Sequence, residues 1–217
     1  VQDQDGSYKA GVWVRDSSAG IGTLTFADTE NGTFAGLGHA ISDTDTGASI
    51  SLLSGEIVPV TITDCIAGTA GAPGELRGEF SGDEVLGTVL ANQDTGVYGR
   101  LSGQVSGTEY PVANMQEVRT GAAQILTTVD GAGPKLYDVR IESVNLNASD
   151  PNRNMLIRVT DRDLLQKTGG IVQGMSGSPL IQDGMLVGAV THVLVNDAAR
   201  GYAIFAQTML QAADKVA

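Results

Sequence analysis

The sequence predicts an all-β domain, either a barrel or a sandwich, and three observations carry that prediction. It divides into at least ten short runs with strand-like alternation, bounded by turn residues. Glycine fills 29 of 217 positions, nearly double the usual ~7%, and tight turns use glycine for backbone angles other residues avoid. There are only two short helical signals, no βαβ alternation and no repeat period, which argues against a wound α/β fold. The length suits two barrels of about 100 residues each, with a crossover near residues 100–120.

Composition narrows the function classes. A chain with 41% hydrophobic and 18% charged residues buries enough apolar surface to fold and is not disordered. At this length roughly 70% of the unfolded surface is buried, so no disulfide or metal staple is required. Asp and Glu number 25 against 13 Lys and Arg, for a net charge of −12. The basic residues are scattered, so a nucleic-acid groove is not expected, and an anionic lipid surface would repel the chain. No run reaches the ~18 apolar residues of a membrane-spanning helix. The chain opens at Val1 without methionine and reads as a mature fragment. Its one cysteine, Cys65, lies in a strand-like stretch, Ile62–Ile66, and reads as a small buried apolar residue. With one cysteine and two histidines, His39 and His192, a structural zinc site is not expected. No cofactor is expected either.

The elements follow in order. Tyr8–Val14 and Ala19–Phe26 read as strands split by the polar turn Arg15–Ser18, and Thr23–Phe26 alternates as a half-buried strand does. Thr33–Gly38 leads into His39. Ser49–Leu53 and Glu56–Ile66 are two further strands, and Gly68–Gly78 is a loop. Strand-like pieces at Glu79–Phe80, Val85–Ala91 and Tyr98–Leu101 complete the first set. In the second set, Ala122–Val129 and Lys135–Leu146 flank a glycine-rich hairpin loop. Asn154–Val159 is a strand, and Asp161–Thr168 a short helix capped by Thr160 and ended by Gly169. Leu180–Ile181 and Leu186–Leu194 form a hairpin, Gly201–Ala206 is the last strand, and Gln207–Lys215 is a closing helix.

The segment Gly169–Leu180 carries the chemistry. Ser176 stands between Gly174-Met175 and Gly177-Ser178-Pro179. A glycine at 174 allows a positive φ, which turns successive N–H groups into one concavity. The Gly174 and Ser176 N–H groups could there hold a developing oxyanion. A glycine-rich turn without chemistry fits the spacing too. The lipase elbow Gly-x-Ser-x-Gly is not met. A serine nucleophile needs a base, and only two histidines exist. His39, in Gly36-Leu37-Gly38-His39, is set to face a cleft. His192, in a strand beside the serine loop, lines a substrate channel or is an ordinary strand residue.

Gly36–Asp43, Thr160–Val195 and Gly201–Ala206 together resemble the peptidase domain of stage IV sporulation protein B, a serine peptidase family of spore-forming bacteria. The most specific parts are Gly38-His39, Thr160-Asp161 and Thr168–Pro179. The resemblance implies a chymotrypsin-like double β-barrel with a short helix before the nucleophile loop and a C-terminal helix. It implies Ser176 as nucleophile, His39 as general base and Asp161 as the acid. Asp161 could equally serve a helix N-terminus. In chymotrypsin-like enzymes the acid comes from the first barrel, which keeps Asp43, Asp45, Asp64 and Asp94 open. The family's membrane segment and PDZ domain precede the peptidase part and lie outside these 217 residues.

The family likeness also frames specificity and role. Digestive relatives carry an aspartate before the serine that pairs with a freed N-terminus. Here Met175 stands there, so no new N-terminus is expected to order the oxyanion hole. Gly170 stands six residues before the serine, so no carboxylate floors the specificity pocket, and Thr191, His192, Val193, Gly201 and Tyr202 are expected to wall it. The expected partner is a protein or peptide substrate, in the family a membrane-anchored regulator cleaved between forespore and mother cell. That cleavage activates the late mother-cell sigma factor, and the family also cuts itself. A non-catalytic peptidase-like binder and a serine esterase are the competing expectations.

Overall fold

The computed structural model describes residues 19–43, 46–69, 71–82 and 84–216. The expected strand Tyr8–Val14 and turn Arg15–Ser18 lie outside the described residues. The first lobe contains β1 (Leu24–Asp28), β2 (Thr33–Gly36), β3 (Gly55–Ile57), β4 (Val60–Ile66), β5 (Glu75–Phe80), β6 (Gly87–Gln93) and β7 (Gly96–Leu101). The second contains β8 (Gly121–Thr127), β9 (Lys135–Val144), β10 (Met155–Val159), α1 (Arg162–Thr168), β11 (Pro179–Gln182), β12 (Met185–Leu194), β13 (Asp197–Phe205) and α2 (Ala206–Ala213). Residues 102–120 join them without a strand, apart from a single 3-10 turn at Met115–Glu117.

The second lobe is a closed barrel, in the order β10-β13-β12-β11-β8-β9. Period-two patterning builds it. Along β9, Tyr137, Val139 and Ile141 point inward and are at most 2% exposed, while Leu136, Asp138 and Arg140 point outward. These side chains meet Ile125, Met155, Ile157, Leu180 and Phe205 in one core. Each such full burial contributes about 1.5–3 kcal/mol.

In the first lobe the order β1-β2-β7-β6-β3 makes a five-stranded sheet, and β4–β5 form a separate two-stranded ribbon. Among the described residues the first lobe is therefore an open sheet with a ribbon, and the closed barrel is that of the second lobe. The expected single strand Glu56–Ile66 is cut at Val58-Pro59 into β3 and β4, because proline has no N–H for a ladder. Ser49–Leu53 keeps only an isolated bridge, from Ser49 to Ser42.

Two helices complete the fold. Thr160 does not cap α1. The cap is Asp161, and Gly169 closes the helix at φ 73° with its N–H on Leu165 O. Met209, Ala212 and Ala213 of α2 pack with Ala35 and Tyr98 of the first lobe and Ala189 and Ile204 of the second. The closing helix thus fixes one lobe against the other, and with them the two histidine-bearing segments.

Candidate active site

The serine loop is held from both lobes. Thr23 N donates to Ser176 O at 2.8 Å, and Thr25 Oγ1 to Gly177 O at 2.8 Å. From the barrel side, Gly177 N donates to Val190 O at 2.8 Å. Gly177 has φ +89°, and a Cβ there would stand 2.2 Å from Thr23 O, so only glycine allows this approach. Met175 is fully buried, and Val172 N donates to its sulfur at 3.4 Å. Ser176 Oγ donates to Thr191 O at 2.9 Å. The Gly174 and Ser176 N–H groups donate to no acceptor among the described residues, so both are open to an incoming oxyanion.

His39 arrives from the other lobe. After β2, Leu37 (φ 67°) and Gly38 (φ 71°) are both left-handed. A non-glycine residue there stores strain that surrounding packing must hold. At Gly38 a Cβ would meet Thr191 Cγ2 and Ile204 Cγ2 at 3.0 Å. Beyond the turn, Asn92 clamps the chain: Ile41 N donates to its Oδ1 at 2.8 Å, and its Nδ2 donates to Ile41 O and Ile50 O at 2.9 and 3.0 Å. His39 Nδ1 lies 2.9 Å from Ala40 O. A carbonyl only accepts, so Nδ1 carries the proton and Nε2 keeps the lone pair a general base needs.

His39 and Ser176 line one cleft of about 1020 Å³ between the lobes, with Thr191, His192 and Val193 on its wall. The two imidazoles face each other, with ring centroids 4.8 Å apart and a 35° tilt. The crowded surroundings of His192 lower its pKa below the ordinary value, with smaller contributions from His39 and Arg153 and an opposing one from Asp150. Its ring nevertheless reaches solvent in the cleft.

Asp161 does not join this cleft. Its Oδ1 accepts from Asp163 N and Leu164 N at 2.9 and 3.0 Å, and its Oδ2 from Asp138 N at 3.3 Å. Three backbone donors absorb the carboxylate at the start of α1, which is the helix-terminus role. Of its rivals, Asp64 lies within β4 and accepts from Cys65 N at 2.8 Å, and Asp43 accepts from Thr46 N and Oγ1 at 2.9 and 3.0 Å. Asp45 lies outside the described residues. Asp94, in the β6–β7 turn, is on the cleft wall. That turn is pinned by Tyr98, whose hydroxyl donates to Thr95 O at 2.8 Å.

Gly201 and Tyr202 are also absent from the wall. The Arg153 guanidinium lies 5.2 Å over the Tyr202 ring. Gly201 lies beneath His192 O and Ile171, where a Cβ would approach to 2.6 Å. The floor is instead Ile171 and Val172, each 2% exposed, and Ile171 N is bound to Ala198 O at 2.7 Å. No carboxylate lies on this floor.

Sequence reasoning missed the 3-10 turn Pro151–Arg153 as part of the wall. Asp150 and Asn152 line the cleft there, Thr191 Oγ1 donates to Asn152 O at 2.7 Å, and Asn152 Oδ1 is buried without a partner among the described residues. A polar loop 39 residues before Thr191 gives no local signal of that contact.

Solved structures similar to this chain include proteases. The Rv3671c protease of M. tuberculosis in its active form is 15% identical, covering 95% of this chain and 94% of its own, with a TM-score of 0.46. The inactive form of that protease is 18% identical over 75% of this chain and 86% of its own, TM-score 0.44. The HtrA-type protease AlgW with a decapeptide is 17% identical over 72% of this chain and 50% of its own, TM-score 0.43. No curated protein matches the chain. The family model described as SpoIVB peptidase S55 matches residues 6–210, and the chain belongs to that family: it is a serine peptidase with an all-β, chymotrypsin-like fold.

Proposed function

We propose that Ser176 is the nucleophile and His39 the general base of a serine endopeptidase. The observation that carries this is the shared cleft: Ser176, an Nδ1-protonated His39 and two unengaged N–H groups line one open groove. His39 Nε2 removes the Ser176 proton as Oγ attacks a peptide carbonyl. The Gly174 and Ser176 N–H groups hold the oxyanion, His39 returns its proton to the leaving amine, and water frees the acyl-enzyme. The Ala40 carbonyl orients the imidazole, and Asp94, one of two aspartates on the cleft wall with Asp150, is the one we assign to support its cationic form.

Family membership supports a finer reading. The enzyme cleaves a membrane-anchored regulatory protein, and itself, outside the cytoplasm in the space between forespore and mother cell. This is the step that leads to activation of the late mother-cell sigma factor. The test is kinetic. Purified wild type, Ser176→Ala and His39→Ala are compared on a peptide library and on an unrelated ester. Hydrolysis of peptides by wild type and loss of at least ~10³-fold in both variants support the reading. Peptide turnover that survives Ser176→Ala overturns it.

A further inference from the structure

The β4–β5 ribbon belongs to the first lobe in sequence, yet among the described residues it joins neither the five-stranded sheet nor the barrel. Its hydrogen bonds go to the serine loop. Gln173 N donates to Gly74 O and Leu76 N donates to Gln173 O, both at 2.8 Å. Its connecting segment adds Gly68 N to Thr168 O at 2.8 Å and Gly71 N to Val195 O at 2.9 Å.

These bonds fix one peptide plane. In a trans peptide the C=O and the following N–H point in opposite directions. Gln173 C=O is aimed at Leu76 N–H, so the Gly174 N–H on the same plane must aim away from the ribbon. Turning that plane over would break the Leu76 bond. The Leu76 side chain adds a second restraint. It packs on Gly174, with Cβ, Cδ1 and Cγ at 3.0, 3.2 and 3.3 Å from the point a Gly174 Cβ would occupy. Leu76 is itself buried in the barrel-side core. Gly174, at φ +97°, is thus held by backbone bonds on one neighbour and by a side chain on itself.

We infer that the β4–β5 ribbon sets the oxyanion hole in its working form, and that Leu76 is a positioning residue for the Gly174 N–H. The ribbon does from within the chain what a freed N-terminus does in digestive relatives. This rests on reading Gly174 and Ser176 as the oxyanion hole.

The experiment compares wild type with Leu76→Ala, Leu76→Val, Leu76→Met and Phe80→Ala. Phe80 lies on the same ribbon and is 59% exposed. Each preparation is normalised to folded protein by circular dichroism. The readouts are kcat, KM and the affinity of a peptide boronate, whose tetrahedral adduct needs the oxyanion donors. One lost donor lowers kcat by ~10²–10³-fold. Leu76→Ala is expected to lose ~10-fold or more in kcat and a similar factor in boronate affinity, with KM nearly unchanged. Leu76→Met restores most of both, Phe80→Ala changes neither, and Leu76→Val gives an intermediate loss if Leu76→Ala does not fold. A folded Leu76→Ala or Leu76→Val enzyme with wild-type kcat and boronate affinity overturns the inference. Ser176→Ala is run beside them: activity surviving in that variant defeats the site reading itself, whereas its loss with a normal Leu76→Ala defeats only the positioning role.

Discussion

Ser176 donates its hydroxyl proton to the carbonyl of Thr191 at 2.9 Å, the residue that precedes His192 on β12. In this resting arrangement Oγ is directed at the strand, and its proton must be handed to His39 Nε2 before attack. A substrate amide N–H that takes Thr191 O for itself releases the hydroxyl. Peptidyl phosphonates with a free N–H beside the reactive phosphorus are therefore expected to modify Ser176 faster than N-methylated counterparts. Equal inactivation rates for the two would show that the Thr191 bond has no part in readying the serine.

The acid question is decided by Asp161→Asn. Asparagine caps a helix about as well as aspartate, while alanine costs about 0.5–2 kcal/mol. The expected result is near wild-type kcat for Asp161→Asn and a lowered Tm for Asp161→Ala. Loss of the triad acid's charge costs about 10⁴-fold in kcat, so a drop of that size in a stable Asp161→Asn enzyme would return Asp161 to the triad. Asp94→Asn is measured in the same series, and a fall in kcat in a variant with unchanged Tm marks support of the His39 cation.

His192 titrates below its ordinary value. A base with a lowered folded pKa takes up its proton more readily in the unfolded state. Stability is full above the unfolded value of about 6.5 and falls as pH drops below it, until the folded group protonates too. Tm is expected to decline from pH 7 toward pH 5 less steeply in His192→Gln than in wild type. Superimposable Tm–pH curves would contradict this.

Tyr98 behaves oppositely. Burial raises its pKa to about 12, against a lowering contribution from Thr95. The hydroxyl stays neutral in the folded protein while the unfolded chain ionises above pH 10. Stability is thus complete below pH 10 and lost progressively between 10 and 12. Tyr98→Phe removes the hydrogen bonds to Thr95, worth about 1 kcal/mol, and flattens the alkaline loss. A Tm difference between the two proteins that does not shrink above pH 10 would contradict it.

The floor of the cleft, Ile171 and Val172, is apolar and lacks a carboxylate. Peptide-library digestion is expected to show cleavage after small or apolar residues and little after Lys or Arg. A dominant preference for Arg would require an acid from another part of the wall, with Asp150 the first to replace by Asn.

Much of the fold was legible because its signals are local. Alternation gave nearly every barrel strand, and Gly169 marked the end of α1. His39 and Ser176 stood out because a serine flanked by glycines needs a base and only two histidines exist. What escaped detection depends on long-range contact. Asp161 sits in a motif shared with the family, but its three backbone donors come from α1 and from Asp138 across a strand. Tyr202 falls in a motif that suggests the pocket, while its ring lies under the Arg153 guanidinium, a contact with a turn 49 residues away. The Leu76–Gln173 pairing spans nearly half the chain, and nothing in either segment announces the other.

The most direct measurement is stoichiometric labelling with a fluorophosphonate, located by peptide mass spectrometry. One adduct per folded chain is expected, on Ser176, lost in Ser176→Ala and strongly slowed in His39→Ala. No adduct on folded wild type, or an adduct on another residue that persists in Ser176→Ala, would contradict it.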